Sequence, residues 1–181
     1  MPAQQTTKSL VLARSEPYSF DLVSREVPAL EDGQALVRVR RAGICGTDLH
    51  IAGWNAWAAR SYTPPVALGH EFCGEVLQNA GDRPGLEPGD RVAAETHLPC
   101  GHCRQCRNGN GHICDNLKTF SRLGQGGFSE YTVVPVDLLR QVPDGVPDEI
   151  GCMMEPLGIA LRCVSETGVA GGDLLVVGCG P

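Results

Sequence analysis

No stretch of the 181 residues approaches the run of about twenty apolar residues that a bilayer span needs. Met1 to Lys8 is polar and rich in Thr and Gln, without the apolar core of a secretory signal. Positive charge is in deficit, 15 Lys and Arg against 21 Asp and Glu, for a formal net charge of −6. That balance argues against a protein whose main task is holding nucleic acid or an anionic membrane surface. Aromatic residues make up only 5% of the chain, and there is no internal repeat or low-complexity segment. The expectation is a cytoplasmic protein, independent of membrane and nucleic acid, with its thiols mostly reduced. What is abundant is cysteine: nine, with five His and 23 Gly. An odd count does not suit a pure disulfide framework.

A hydrophobic fraction of 42% can fill a core, and the length fits one domain or one domain and the start of another. Ser9 to Ala42 reads as strands, with turns at Glu16-Pro17 and Glu31-Asp32-Gly33 and Ala35, Val37 and Val39 alternating against Arg38 and Arg40. Further strands are expected at Phe72–Gln78, Arg91–Thr96, Ser129–Val134 and Leu138–Val142. The predicted class is mainly β with some α, a turn-rich barrel or sandwich. Beyond Pro143 the apolar positions Ile150, Met153, Met154, Leu157 and Leu161 take helical spacing, with Pro156 expected to end one helix and open the next. The apolar run Leu174–Val177 then enters Gly178-Cys179-Gly180, which reads as a buried strand opening a dinucleotide-binding unit, or as a simple turn.

Cys100, Cys103, Cys106 and Cys114 lie within fifteen residues whose only other sizeable apolar side chain is Ile113. Such a segment cannot bury enough surface to order itself, and one zinc held by four thiolates can fold it. Disulfides and an iron–sulfur cluster are the alternatives. Four protein ligands leave no open position, so this metal is expected to be structural. Arg104, Arg107, Lys118 and Arg122 give the lobe and its flank a basic face. Without interleaved aromatics it reads as a solvated surface rather than a nucleic-acid contact.

A second set is split along the chain: Cys45, with Thr47 and His50 following, then Gly69-His70-Glu71, then Glu155. Singly, each has a structural explanation: a small buried thiol, a satisfied histidine, a carboxylate at a helix start. Together they supply one thiolate, one imidazole and one carboxylate, which suits a catalytic zinc with a position left open. The spacing of Thr47 and His50 suits a proton relay leading away from such a metal. A zinc hydrolase or lyase, or a zinc-binding interaction module without catalysis, could use similar donors.

The segment Gly43-Ile-Cys-Gly-Thr-Asp-Leu-His50, Gly69-His70-Glu71, the three-three-eight spacing of the lobe cysteines and Glu155-Pro-Leu-Gly158 together resemble the zinc-containing medium-chain alcohol dehydrogenases over essentially the whole chain. The resemblance implies a GroES-like catalytic barrel over residues 1–155, its zinc lobe at about 97–118, and at 156–181 a linking helix and the start of a truncated NAD-binding Rossmann domain. It implies two zinc ions per chain, NAD+ as cofactor, and oxidation of a small secondary alcohol by hydride transfer in a homo-oligomer, dimer or tetramer. Cys45 and His70 would hold the catalytic zinc, with Glu71 and Glu155 bound to it or exchanging with its water. Thr47 and His50 would carry the proton, and Gly178 and Gly180 would meet the nucleotide. Trp54-Asn-Ala-Trp57 and Glu95-Thr-His97 look closest to the threonine-oxidising branch, with Trp54, Trp57 and His97 lining the substrate pocket. The sorbitol and butanediol branches share the zinc motifs. Cys73, Cys152, Cys163 and Cys179 are left as reduced core or turn residues.

Overall fold

The computed structural model describes residues 5–81, 84–169 and 171–178. Among them the expected strands are present and antiparallel. A five-stranded sheet runs in the order β10-β6-β5-β3-β9, formed by β3 (Gln34–Gly43), β5 (Glu71–Asn79), β6 (Arg91–Ala94), β9 (Tyr131–Pro135) and β10 (Leu139–Gln141). A three-stranded sheet, β2-β1-β4, is built from β1 (Thr6–Leu12), β2 (Phe20–Glu26) and β4 (Val66–Ala67). The two-residue alternation decides which side chains enter the core. Ala35 and Val37 are fully buried beside Phe72, Val76, Val92, Phe120 and Val134, while Arg38 points outward.

The two sheets are stitched at one seam. Leu10 donates its N–H to the Phe128 carbonyl at 2.8 Å, and the Thr7 hydroxyl both donates to the Tyr131 carbonyl and accepts from the Tyr131 N–H. On the outer face Glu75 accepts from Arg38 at 2.7 Å and from Arg40, while Asp148 pairs with Arg40 and Arg91. The two guanidiniums hold the Glu75 carboxyl below the usual carboxylate range. This network ties β3, β5 and β6 to α4 (Asp148–Gly151).

Several features depart from the sequence reading. Two short helices, α1 (Gly46–Ala52) and α2 (Ala56–Ser61), occupy the segment between β3 and β4. The break between α4 and α5 (Met154–Thr167) falls at Cys152 and Met153 rather than at Pro156. Pro156 sits in the first turn of α5, where a missing N–H costs no helical hydrogen bond. Leu174–Val177 forms no strand, and Leu175 and Val177 are 87% and 88% exposed. An extended apolar run is fixed only by a neighbouring strand that completes its ladder, and no described strand pairs with it. Gly178 adopts a positive φ of 95°, whereas Cys179 and Gly180 lie outside the described residues. Cys73 and Cys152 are buried as expected, but Cys163 is exposed on α5. No described helix is long and apolar enough to cross a membrane.

Candidate active site and metal centres

Cys100, Cys103, Cys106 and Cys114 bring their sulfurs within 4.8 Å of one another. The short pair β7 (His97–Leu98) and β8 (Lys118–Thr119) closes the neck of this lobe. Cys103 starts the one-turn helix α3 (Arg104–Arg107), and its sulfur accepts the Cys106 N–H; Cys114 accepts from the N–H groups of Cys100 and Asn116. Cys103 lies 3.5 Å from Cys106 and 3.9 Å from Cys114, sulfur to sulfur. A disulfide would need about 2.05 Å, whereas four sulfurs at about 2.3 Å from one tetrahedral ion stand about 3.8 Å apart. The donor set fits zinc. Peptide N–H groups, first that of His102, pull the Cys100 thiol down to about 6, the direction that favours the ligating thiolate.

The second cluster is assembled from two turns joined by a buried carboxylate. Cys45 precedes α1, and its N–H donates to Asp48 Oδ2 at 3.0 Å. Asp48 Oδ1 accepts the Gly69 N–H at 3.0 Å and stands 3.8 Å from His70 Nδ1. Asp48 therefore ties the thiol-bearing turn to the imidazole-bearing one through the Cys45 and Gly69 N–H groups. Gly69 is required here: its φ is +82°, and a Cβ would come within 2.6 Å of the Phe128 ring. Gly43 likewise leaves room for Glu71, whose Oε2 would meet an added Cβ at 2.8 Å.

The outcome is a Cys45 sulfur, a His70 nitrogen and a Glu71 oxygen within 4.8 Å of one another, with His70 and Glu71 buried. Burial pushes the Cys45 thiol up and the Glu71 charge adds to this, while hydrogen bonds from the Thr47 N–H and hydroxyl pull it back. A thiol, an imidazole and a carboxylate converging on one point are the donor chemistry of an open zinc site.

A cavity of about 690 Å³ opens over this cluster, lined among others by Cys45, Thr47, Trp57, His70, Glu71, His97 and Glu155. Glu155 stands apart from the three-donor group and is oriented by the Thr96 hydroxyl, which donates to its Oε1 at 3.0 Å. His50 is exposed on α1, with Nδ1 3.1 Å from Asn55 Nδ2 and its ring edge-on to Trp57 at 6.4 Å. Trp57 and His97 line the cavity, but Trp54 does not. It closes the turn after α1 with a φ of +45° and packs against the core group of Leu12, Ile51, Val66 and Leu68. Asp48, Thr96, Tyr62 and Arg122 are contributors the sequence reading did not single out for this site. Only Asp48 left a local signal, an acid three residues after a helix start.

A β-barrel that carries a four-thiolate lobe beside a cleft holding a Cys–His–Glu group defines the catalytic-domain class of the zinc-type dehydrogenases. The chain belongs to the alcohol dehydrogenase GroES-like domain family, whose match covers residues 31–144. It is similar to the L-threonine 3-dehydrogenase of Pyrococcus horikoshii, 40% identical over 175 residues, 96% of this chain and 50% of that protein. Among solved structures it resembles an alcohol dehydrogenase (rspB) of Escherichia coli CFT073 complexed with NADH, with a TM-score of 0.78 and 32% identity over 89% of this chain and 45% of that one. It also resembles galactitol-1-phosphate dehydrogenase from Escherichia coli, with a TM-score of 0.81 and 28% identity over 89% of this chain and 45% of that one. The chain spans about half the length of the relatives it matches.

Proposed function

We propose that these residues form the zinc-binding half of an NAD-dependent secondary-alcohol dehydrogenase that oxidises L-threonine at C3 to 2-amino-3-ketobutyrate, in a cytoplasmic homo-oligomer. The observation that carries this reading is the convergence of Cys45, His70 and Glu71 on the floor of a cavity that also takes in Thr47, His97 and Glu155. The threonine assignment rests on the likeness to L-threonine 3-dehydrogenases. A polyol or butanediol substrate is the second reading, favoured by the likeness to galactitol-1-phosphate dehydrogenase.

Cys45 and His70 would hold the catalytic zinc, with Glu71 or Glu155 as the third donor, while Cys100, Cys103, Cys106 and Cys114 would hold the structural one. The catalytic ion supplies Lewis acidity that brings an alcohol's pKa from about 16 towards about 7, roughly 12 kcal/mol of anion stabilisation. NAD+ supplies the hydride acceptor; residues 156–181 would open its domain, with Gly178 and Gly180 in the phosphate-binding turn.

The chain's own side chains do the rest. Thr47 lines the cavity, which supports a role in taking the proton of a substrate hydroxyl. His50 lies three residues further along α1, on the same helical face and in solvent, where it can pass that proton to water. His97 and Trp57 shape the cavity around the substrate carbon chain.

The test is a substrate panel on the complete enzyme, joined to its nucleotide-binding domain, with NAD+ and L-threonine, sorbitol or butanediol. Threonine is expected to have the highest kcat/KM. The 181 residues alone, loaded with zinc, are expected to show no NAD-dependent turnover, since they offer no complete phosphate-binding turn. Preference for either diol or polyol would overturn the threonine assignment, and turnover by the isolated half would overturn the division of labour.

A further inference from the structure

Arg122 belongs by sequence to the basic flank of the cysteine lobe, but the structure gives it a different environment from Arg104, Arg107 and Lys118. Its side chain lines the same cavity as Cys45, His70 and Glu71, and it is the one Lys or Arg among the described residues that does so. The guanidinium carbon stands 5.7 Å from the centroid of the Tyr62 ring, a cation–π contact. Tyr62 is itself fixed, its hydroxyl 3.2 Å from Ser121 Oγ and its ring edge-on to Trp57 at 5.6 Å.

Arg122 has no carboxylate oxygen within 4.0 Å among the described residues, as is also true of Arg25, Arg60, Arg104 and Arg107, but of these only Arg122 lines the cavity. Glu71 and Glu155 share its cavity without pairing with it. The cavity is thus polarised, with metal donors on one wall and a stacked guanidinium without an acid partner on another. The fork of N–H groups on that guanidinium matches a planar carboxylate bidentately.

We propose that Arg122 is the specificity residue that binds the carboxylate of the substrate, so that the cavity takes a small hydroxy acid, with its hydroxyl at the Cys45–His70 end and its carboxylate at Tyr62–Arg122. This rests on the dehydrogenase reading and deepens it by naming the substrate class. Tyr62 acts through Arg122, holding the fork in place, and is a positioning residue. A phosphate monoester offers the same anionic oxygens, so the test carries an arm for it.

The experiment compares wild type, R122Q and R122K in the complete enzyme with NAD+, using L-threonine, 2,3-butanediol and galactitol 1-phosphate as substrates. Because Arg122 is exposed at the cavity mouth, the charge-assisted contact is discounted, and R122Q is expected to raise KM for threonine about tenfold. Its kcat should change less than about twofold and its KM for butanediol should hold, with R122K intermediate. An equal rise for threonine and butanediol would reduce Arg122 to a structural role and overturn the proposal, as would an unchanged threonine KM. Preference of the wild type for the sugar phosphate, lost in R122Q, would overturn the carboxylate assignment. Binding of L-threonine to the zinc-loaded protein, followed by tryptophan emission with Trp57 in the cavity, is read independently of turnover. Binding that R122Q abolishes supports the site even where no alcohol is oxidised, and that second result would instead defeat the dehydrogenase reading. Binding that R122Q leaves intact overturns the proposal.

Discussion

Replacing Cys45 with alanine should lower the zinc content from two ions per chain to one and cut alcohol oxidation by the complete enzyme at least about a thousandfold. Losing even a third of the roughly 12 kcal/mol that a zinc ion contributes to alcohol ionisation gives a factor of that size. The fold should survive. Cys45 is only partly buried, and its backbone N–H reaches Asp48 whatever the side chain, so alanine loses only the sulfur's acceptor contacts at the start of α1. An alanine at a helix start costs about 1 kcal/mol, small beside the catalytic effect. Metal analysis, circular dichroism and turnover on one sample separate the possibilities. Two ions and undiminished turnover in the variant would remove Cys45 from the site.

The second large effect is expected at the lobe. Cys103→Ser should expel the other ion and unfold the segment around it, because structural zinc contributes on the order of 10–16 kcal/mol of apparent binding free energy and little else orders this stretch. Ile113 remains 53% exposed, and Cys114 is the lobe's one buried thiol. Cys103 also starts α3 and accepts the Cys106 N–H through its sulfur, a cap that a serine hydroxyl can keep, so the substitution isolates the loss of the metal ligand. Arg104 and Arg107 lie inside the lobe, which makes limited trypsin digestion a direct readout. The variant should be cut there rapidly while the zinc-loaded protein resists. Turnover should fall too, since Leu117 and Thr119 at the neck line the cavity. A lobe that stays resistant to trypsin after losing Cys103 would show that zinc does not fold it.

Much of this architecture could be read from the sequence, and the exceptions have physical causes. Inward and outward side chains alternate over Val37, Arg38, Val39 and Arg40, so β3 was legible, although Leu36 is buried in a second cluster with Val27 and Val133. The lobe was legible because its four donors are near neighbours in the chain. In contrast, α1 is seven residues long, opens with glycine and is held by the packing of Ile51 and Ala52 and by Asp48 rather than by helix propensity. Leu174–Val177 has the composition of a strand, but composition does not supply the neighbouring ladder. Tyr62 and Ser121 meet from 59 residues apart, and that contact is what makes a wall beside Arg122. No local pattern encodes such a meeting. Trp54 and Trp57 show the opposite limit: three residues apart, one enters the core and the other the cavity.

The central claim is that the chain holds two zinc ions in unlike surroundings, one closed by four thiolates and one held open by Cys45, His70 and a carboxylate. X-ray absorption at the zinc edge, on protein whose metal content has been measured, tests this most directly. The account predicts two ions per chain and an average near 2.5 sulfur ligands per ion, with the remainder nitrogen and oxygen. A single ion with four sulfur ligands, and none at Cys45 under zinc-replete conditions, would contradict it.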